Sequence, residues 1–348
     1  MLIAPAGTLD LNNIQKKAPT LENVIYVQNP GNDHVDFTPD TKNASTPDTV
    51  TWQAILDKVA SSDTDTTLPA TTTGSPPPGL VTFWNNTPIE YSQANLAAAI
   101  SAQINIIPIS QRITPADLVF PADALSTLYT LVVTLAACYC NASLVLSSIA
   151  GPNADLISAT AHISPTIIVA TPDSLKDILR TSLPKVRNSL SKTVHWFQSR
   201  SLQQDGVMPS NNMISRLNSW AQPSLGVIPR KLRLVFVAEQ AGLNKASLNS
   251  IELSHLRVFT GARFGYALTA SKVAGAISQT AIYDYRVDDV VGHRPHFGSP
   301  LSSVEIYFRD TKDKKSTDQM SIGEVCCGSY FWSAANFSLD LCTWPCCR

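Results

Sequence analysis

The chain has 348 residues and a mass of 37.6 kDa, which suits two domains or one large α/β domain at roughly 100–200 residues per domain. Hydrophobic residues make up 44% of it and mean hydropathy is +0.02, which excludes a wholly disordered protein. With 26 Lys+Arg against 27 Asp+Glu the net charge is −1. That balance leaves no electrostatic footprint for nucleic acid and no basic patch for an anionic membrane.

In chain order, the opening MLIAPAGTLDLNNIQKK has neither a basic n-region nor an apolar core of signal-peptide length, which places the chain on the cytosolic side. Residues 61–79, SSDTDTTLPATTTGSPPPG, are polar, of low complexity and broken by proline, and read as a loop. Leu80–Trp84 then reads as a strand and Tyr91–Ile104 as a helix with an alanine-rich inner face. Leu118–Phe120 and Ser143–Leu146 read as strands flanking a helical Ala122–Cys138. Thr166–Ala170 is a strand, followed by Thr171 as N-cap and Pro172 at the first helical position. Leu232–Val237, Leu256–Thr260 and Val304–Phe308 complete the strands. β-Branched runs separated by helices predict an α/β fold with parallel sheets flanked by helices. The run Leu128–Leu146 is about long enough to span a bilayer. Asn141-Ala142-Ser143 reads as a turn that splits it, so a core helix–turn–strand is favoured and no stable transmembrane helix is expected.

Several chemistries lack their residues. No GxGxxG follows a strand, no complete Walker lysine motif occurs, and no GxSxG elbow is present. His293 and His296 form an HxxH pair around Pro295 without the glutamate of a metalloprotease helix, and read as structural or surface histidines. The seven cysteines crowd the end of the chain, at Cys326, Cys327, Cys342, Cys346 and Cys347, with Cys138 and Cys140 apart. A secreted disulfide scaffold would be short and evenly studded, so reduced thiols are the default, and a zinc site lacks its paired CxxC units.

Three weak segments remain, in a set order. Thr71–Val81 is a Thr/Gly/Ser loop entering a strand, and its hydroxyls and N–H groups suit a triphosphate. Gly265-Tyr266-Ala267-Leu268-Thr269-Ala270 comes next, and Gly323-Glu324-Val325 follows the last strand. With these residues the chain resembles the adenylate-forming (AMP-binding) superfamily, in particular fungal long-chain acyl-CoA ligase-like proteins, from about residue 20 to residue 330. The likeness is strongest over 256–286 and 296–310. Thr72, Thr73, Gly74, Ser75 and Gly79 match positions of the family's phosphate loop. Ala238 and Glu239 match the segment that flanks the adenine. Gly265, Tyr266, Leu268 and Thr269 match YGxTE, where the aromatic ring packs on adenine and the threonine meets the α-phosphate.

The resemblance implies a partial large N-terminal domain of the adenylate-forming fold, without the small C-terminal domain. Residues 1–60 would be its N-terminal segment, 61–79 a degenerate phosphate loop, 80–328 the core, and 329–348 an aberrant Cys-rich tail of a truncated family member. It implies ATP-dependent adenylation of a fatty-acid-like carboxylate, with ATP/AMP and coenzyme A as cofactors, in a cytoplasmic protein or one peripheral at the endoplasmic reticulum or other membranes. The departures imply impaired catalysis. Pro78 stands where the family has lysine, and Ala270 replaces the glutamate that binds Mg²⁺. No histidine or aromatic of the acyl pocket is evident in PADALSTLY. A non-catalytic nucleotide- or acyl-binding pseudoenzyme is the alternative.

Overall fold

A computed structural model describes residues 1–5, 11–27, 48–60, 79–84, 87–147, 150–186, 189–208, 222–242, 247–287, 295–309, 324–329 and 337–338. The chain divides into two compact units, Met1–Ser75 and Pro76–Arg348. The division falls within residues 61–79, and residues 61–78 of that segment lie outside the described residues.

The first unit holds strands β1 (Leu2–Pro5), β2 (Asn23–Val27) and β3 (Asp48–Thr51), with helices α1 (Leu11–Lys17) and α2 (Trp52–Ala60). All pairings are parallel, with Leu2 opposite Val24 and Asn23 opposite Asp48. β2 is central and its Val24, Ile25 and Tyr26 are buried.

In the second unit, β4 (Leu80–Trp84) and β5 (Thr87–Tyr91) form a hairpin ahead of α3 (Gln93–Asn105). There follow β6 (Leu118–Pro121), α4 (Leu128–Tyr139), β7 (Ser143–Leu144), α5 (Leu156–Ala159), β8 (Ile167–Ala170), α6 (Pro172–Ser182) and α7 (Ser189–Asp205). Then come β9 (Leu234–Gln240), α8 (Ser250–Thr260), β10 (Arg263–Thr269), β11 (Ala276–Gln279) and β12 (Ser299–Pro300). A further sheet joins β13 (Val304–Arg309), β14 (Glu324–Ser329) and β15 (Phe337–Ser338).

The main sheet has seven strands in the order β12-β11-β10-β9-β8-β6-β7. From β7 through β10 every pairing is parallel, while β11 and β12 are antiparallel. Two apolar layers cover it. Tyr129, Val133 and Ala137 of α4 pack with Val119, Ile167, Leu234 and Phe236 on one face. Leu175 and Ile178 of α6 and Leu256 and Phe259 of α8 pack with Val235, Val237 and Tyr266 on the other. β6 connects outward to β7 through α4, whereas β8, β9 and β10 advance the opposite way through α6 and α8. The winding therefore reverses between β6 and β8, and such reversals open a crevice at the carboxyl ends of the strands.

Local signals explain the element ends. Thr171 caps α6 through Ser174 N, with Pro172 opening the helix as expected. α4 stops at a left-handed Asn141, φ 56°. Asn141 N donates to Cys138 O at 3.0 Å and Ala142 N to Ala137 O at 2.9 Å, a Schellman closure. Leu128–Leu146 is thus a core helix, turn and short strand. No helix among the described residues is long and apolar enough to cross a membrane.

Two expectations need correction. Leu256–Thr260 is the last part of α8 and not a strand. A capping box between Asn249 and Glu252 starts that helix and Gly261, φ 67°, ends it, so caps outweigh the β-branched Val258 and Thr260. The helix expected over Ala122–Cys138 begins only at Leu128, because Asp123 accepts from Ala124 N at 2.8 Å and turns the chain.

At the amino ends of the strands Arg233 forms a clamp. Its guanidinium donates to Asp117 at 2.8 and 2.7 Å, to Gln111 O at 2.8 Å and to Arg112 O at 3.0 Å. Burial opposes ionisation of Asp117, but bonds from Arg233, Thr166 and Thr114 outweigh it and hold the carboxyl at about 2.

Candidate functional site

The sequence-selected residues gather where β9 and β10 run side by side. Their register sets Gly265 opposite Phe236, Tyr266 opposite Val237, Ala267 opposite Ala238, Leu268 opposite Glu239 and Thr269 opposite Gln240. Side chains alternate between faces along a strand, so the GYALT segment serves both layers. Tyr266 and Leu268 join the α6/α8 layer with Val237. Ala267 joins the α3/α4 layer with Phe236 and Ala238.

Tyr266 is fully buried. Its ring stacks on Phe297 with centroids 5.3 Å apart and planes at 13°. The hydroxyl donates to Glu239 Oε2 at 2.6 Å and accepts from Leu248 N at 3.3 Å. The backbone exchanges bonds with Thr280, Tyr266 N donating to its Oγ1 and Thr280 N returning to Tyr266 O, both at 2.9 Å. Tyr266 is therefore set in the sheet from four sides. Thr269 donates its hydroxyl to Glu239 O at 3.2 Å, and Thr269 O accepts from Ala241 N at 2.8 Å. These bonds tie the carboxyl ends of β9 and β10 together. The β10–β11 register shifts between Leu268 and Thr269, an irregularity that re-aims side chains at a strand end.

Gly265 is needed for close packing. A Cβ there would meet Gln279 Nε2 at 3.0 Å and Phe236 Cδ1 at 3.1 Å. Gln279 heads a buried polar cluster that the sequence reading missed. Its Oε1 accepts from Tyr129 OH at 2.8 Å and from Gln103 Nε2 at 3.2 Å. Burial raises the Tyr129 hydroxyl far above the ordinary tyrosine value, which keeps it a neutral donor. No sequence pattern joins residues 103, 129 and 279; only the fold does, with α3, α4 and the antiparallel β11 each supplying one.

Of the phosphate-loop residues, Thr72, Thr73, Gly74 and Ser75, together with Pro78, lie outside the described residues. Gly79 is described and lies tight against β5. A Cβ on it would meet Tyr91 O at 2.7 Å and Glu90 Oε1 at 2.9 Å. Tyr91 in turn donates its hydroxyl to Ser271 O, just past β10. Gly79 and the end of the GYALTA segment are thus joined through one side chain.

At the winding reversal, Asp123 follows β6 and is half-buried, accepting from Thr130 Oγ1 at 3.0 Å. Thr171 follows β8 and donates to Pro152 O at 2.6 Å. Asp123 lies within PADALSTLY, where a search for histidine or aromatics passes over it. His296 bonds to Asp284 at 3.4 Å, while His293 lies outside the described residues.

Mg²⁺ requires hard oxygen ligands. Ala270 lies in an apolar cluster with Ile277 and Val304, packed by Leu268, Val273 and Ile306. That donor set does not fit the ion. The half-buried Ala238, Gln240 and Leu268 at the strand ends present no carboxylate either.

No family model matches the chain, and no curated protein matches it. Solved structures do. The anthranilate CoA ligase AuaEII in complex with anthranoyl-AMP is 14% identical with a TM-score of 0.52, over 94% of this chain and 51% of that one. The N-terminal domain of FACL13 from Mycobacterium tuberculosis is 11% identical with a TM-score of 0.54, over 94% and 69%. A benzoate CoA ligase from Burkholderia xenovorans LB400 is 14% identical with a TM-score of 0.51, over 94% and 50%. The chain spans about half the length of the two ligases. Its fold is that of the N-terminal domain of adenylate-forming enzymes.

Proposed function

We propose that this chain is a member of the adenylate-forming superfamily whose β9/β10 edge receives the AMP part of an acyl-adenylate. The corresponding reaction is ATP-dependent activation of a carboxylate, with coenzyme A as the later acceptor and a long-chain fatty acid as the acid, in a cytoplasmic setting. ATP supplies the adenylyl group when bound. The chain's own residues hold and orient it. Glu239 and Leu268 would border the adenine, with Tyr266 fixed behind them by Phe297 and Glu239, while Ala238 lies on the opposite face of the sheet. Thr269 would meet the α-phosphate, with Gly79 bordering the remaining phosphates.

The observation that supports this reading is the link from Gly79 through Tyr91 to Ser271. It joins Gly79, which follows Thr72–Ser75 in sequence, to the residue after GYALTA, as a nucleotide touching both segments would require.

Turnover in this chain is weak in the same reading. The apolar surroundings of Ala270 and the proline at 78 remove two charge contacts to the phosphates. Loss of such contacts costs on the order of a thousandfold in rate.

Titration calorimetry with AMP and with an acyl-sulfamoyl adenosine, both without Mg²⁺, tests the binding. Acid-dependent ATP–pyrophosphate exchange tests the chemistry. Binding with little or no exchange is expected. A flat titration on cooperatively folded protein overturns the proposal. Exchange at the rate of an ordinary ligase overturns the impairment alone.

A further inference from the structure

The net charge of −1 conceals a strong asymmetry. Between residues 178 and 238 the sequence holds nine Lys/Arg and a single carboxylate, Asp205. Helix α7 lies in this stretch and has two distinct faces. Ser191, Val194, His195 and Leu202 are buried. His195 stacks on His255 and Phe259 of α8 at 4.9 and 4.8 Å, so the inner face is docked.

The outer face carries Lys192, Trp196, Phe197 and Arg200, all exposed. Trp196 is 52% and Phe197 59% exposed, so two adjacent large rings face outward together. Their rings meet edge to face at 5.0 Å, and the Arg200 guanidinium lies 5.2 Å from the Trp196 ring centroid. Lys192, Trp196 and Arg200 are spaced by four residues, which puts them on one line of the helix.

We propose that this outer face of α7 docks on an anionic lipid surface. The face has the two features such a surface selects. An aromatic pair can enter the headgroup boundary, and long basic stems on either side can reach the phosphates. Of the nine, Arg233 is held by Asp117 and Arg180 by Asp177, so the charge of this face rests on Lys192 and Arg200, and the one carboxylate of α7, Asp205, lies at its far end. The inference stands apart from the nucleotide reading and survives its failure.

Vesicle co-sedimentation of the full chain tests it, using phosphatidylcholine alone and phosphatidylcholine with one third phosphatidylserine. Binding several-fold stronger to the anionic vesicles is expected. The double variant Trp196→Ser/Phe197→Ser should lower the partition coefficient at least about tenfold. Lys192→Glu/Arg200→Glu should abolish the preference for phosphatidylserine. Both variants alter exposed side chains and should melt as the unaltered protein does; if one melts early, the other decides. Failure of the folded protein to bind anionic vesicles overturns the proposal. So does undiminished binding by the variants, because the basic surplus elsewhere would then carry it. Salt-sensitive capture by an acidic protein without vesicle binding would assign the face to a protein partner and overturns it too.

Discussion

Replacing Tyr266 by Phe deletes one oxygen and leaves the ring on Phe297. The hydroxyl donates to the Glu239 carboxylate at 2.6 Å and accepts from Leu248 N at 3.3 Å, and all three residues are buried. A buried hydrogen bond contributes about 0.5–1.5 kcal/mol, and an orphaned buried N–H adds about 1–3 kcal/mol. Glu239 and Tyr266 have further interactions that persist, so a total loss of about 2–3 kcal/mol is expected. For a unit of this size that lowers the melting temperature by roughly 5–10 °C. Urea denaturation should show a lower midpoint with an unchanged slope. A double-mutant cycle with Glu239→Gln should give a coupling of about 1–2 kcal/mol. A loss below about 0.5 kcal/mol would refute the reasoning, as would an equal loss in the Glu239→Gln background. Because the ring stays in place, affinity for the acyl-sulfamoyl adenosine should change far less than stability.

Gly265→Ala should cost about 1–3 kcal/mol by overpacking against Gln279 and Phe236, measured by the same urea midpoints. Arg233→Met keeps the stem but strips the buried Asp117 of its main partner, and should cost about 3–5 kcal/mol. Adding Asp117→Asn to that variant should recover part of the loss; no recovery would count against the clamp. Asn141→Val places a β-branched residue at φ 56° and should cost about 1–2 kcal/mol, whereas Asn141→Gly should be near neutral. His195 is held at about 4, against an ordinary 6.5, by burial and then by the charge of His255. Between those values only the unfolded chain takes up the proton. The His195 contribution is therefore complete above about pH 6.5 and falls by about 3 kcal/mol as pH drops towards 4, below which protonation of Asp117 lowers stability further. His195→Phe should flatten that fall, and equal urea midpoints at pH 7.5 and 4.5 in the unaltered protein would refute it.

What the sequence reveals here depends on how local the cause is. Thr171-Pro172 and Leu80–Trp84 are readable because caps and β-branched runs act over a few residues. The split of Leu128–Leu146 at Asn141 is readable for the same reason. Leu256–Thr260 misleads because its strand-like run is short, while the signals that outweigh it, Asn249, Glu252 and Gly261, lie beyond its ends. The strands and helices of the first unit pass unseen, since four- and five-residue strands barely establish a period. At the site, GYALT is visible as a motif, but its division between two faces is not. That requires knowing it lies inside a strand paired with β9. Gln103, Tyr129 and Gln279 are farther out of reach, separated by up to 176 positions and joined only by the fold.

β9 and β10 are the longest strands of the main sheet, at seven residues each, with β8 and β11 flanking them. Amides in such a position exchange with solvent only when the whole unit opens. Fluctuations at this edge are therefore coupled to global unfolding and cannot be adjusted separately. A nucleotide arriving here would meet a surface already ordered, with little entropy left to lose. The corollary concerns inheritance: any substitution that alters the edge is also tested as a change in cellular abundance, so drift at Gly265 and Tyr266 is filtered by folding even where catalysis no longer filters it.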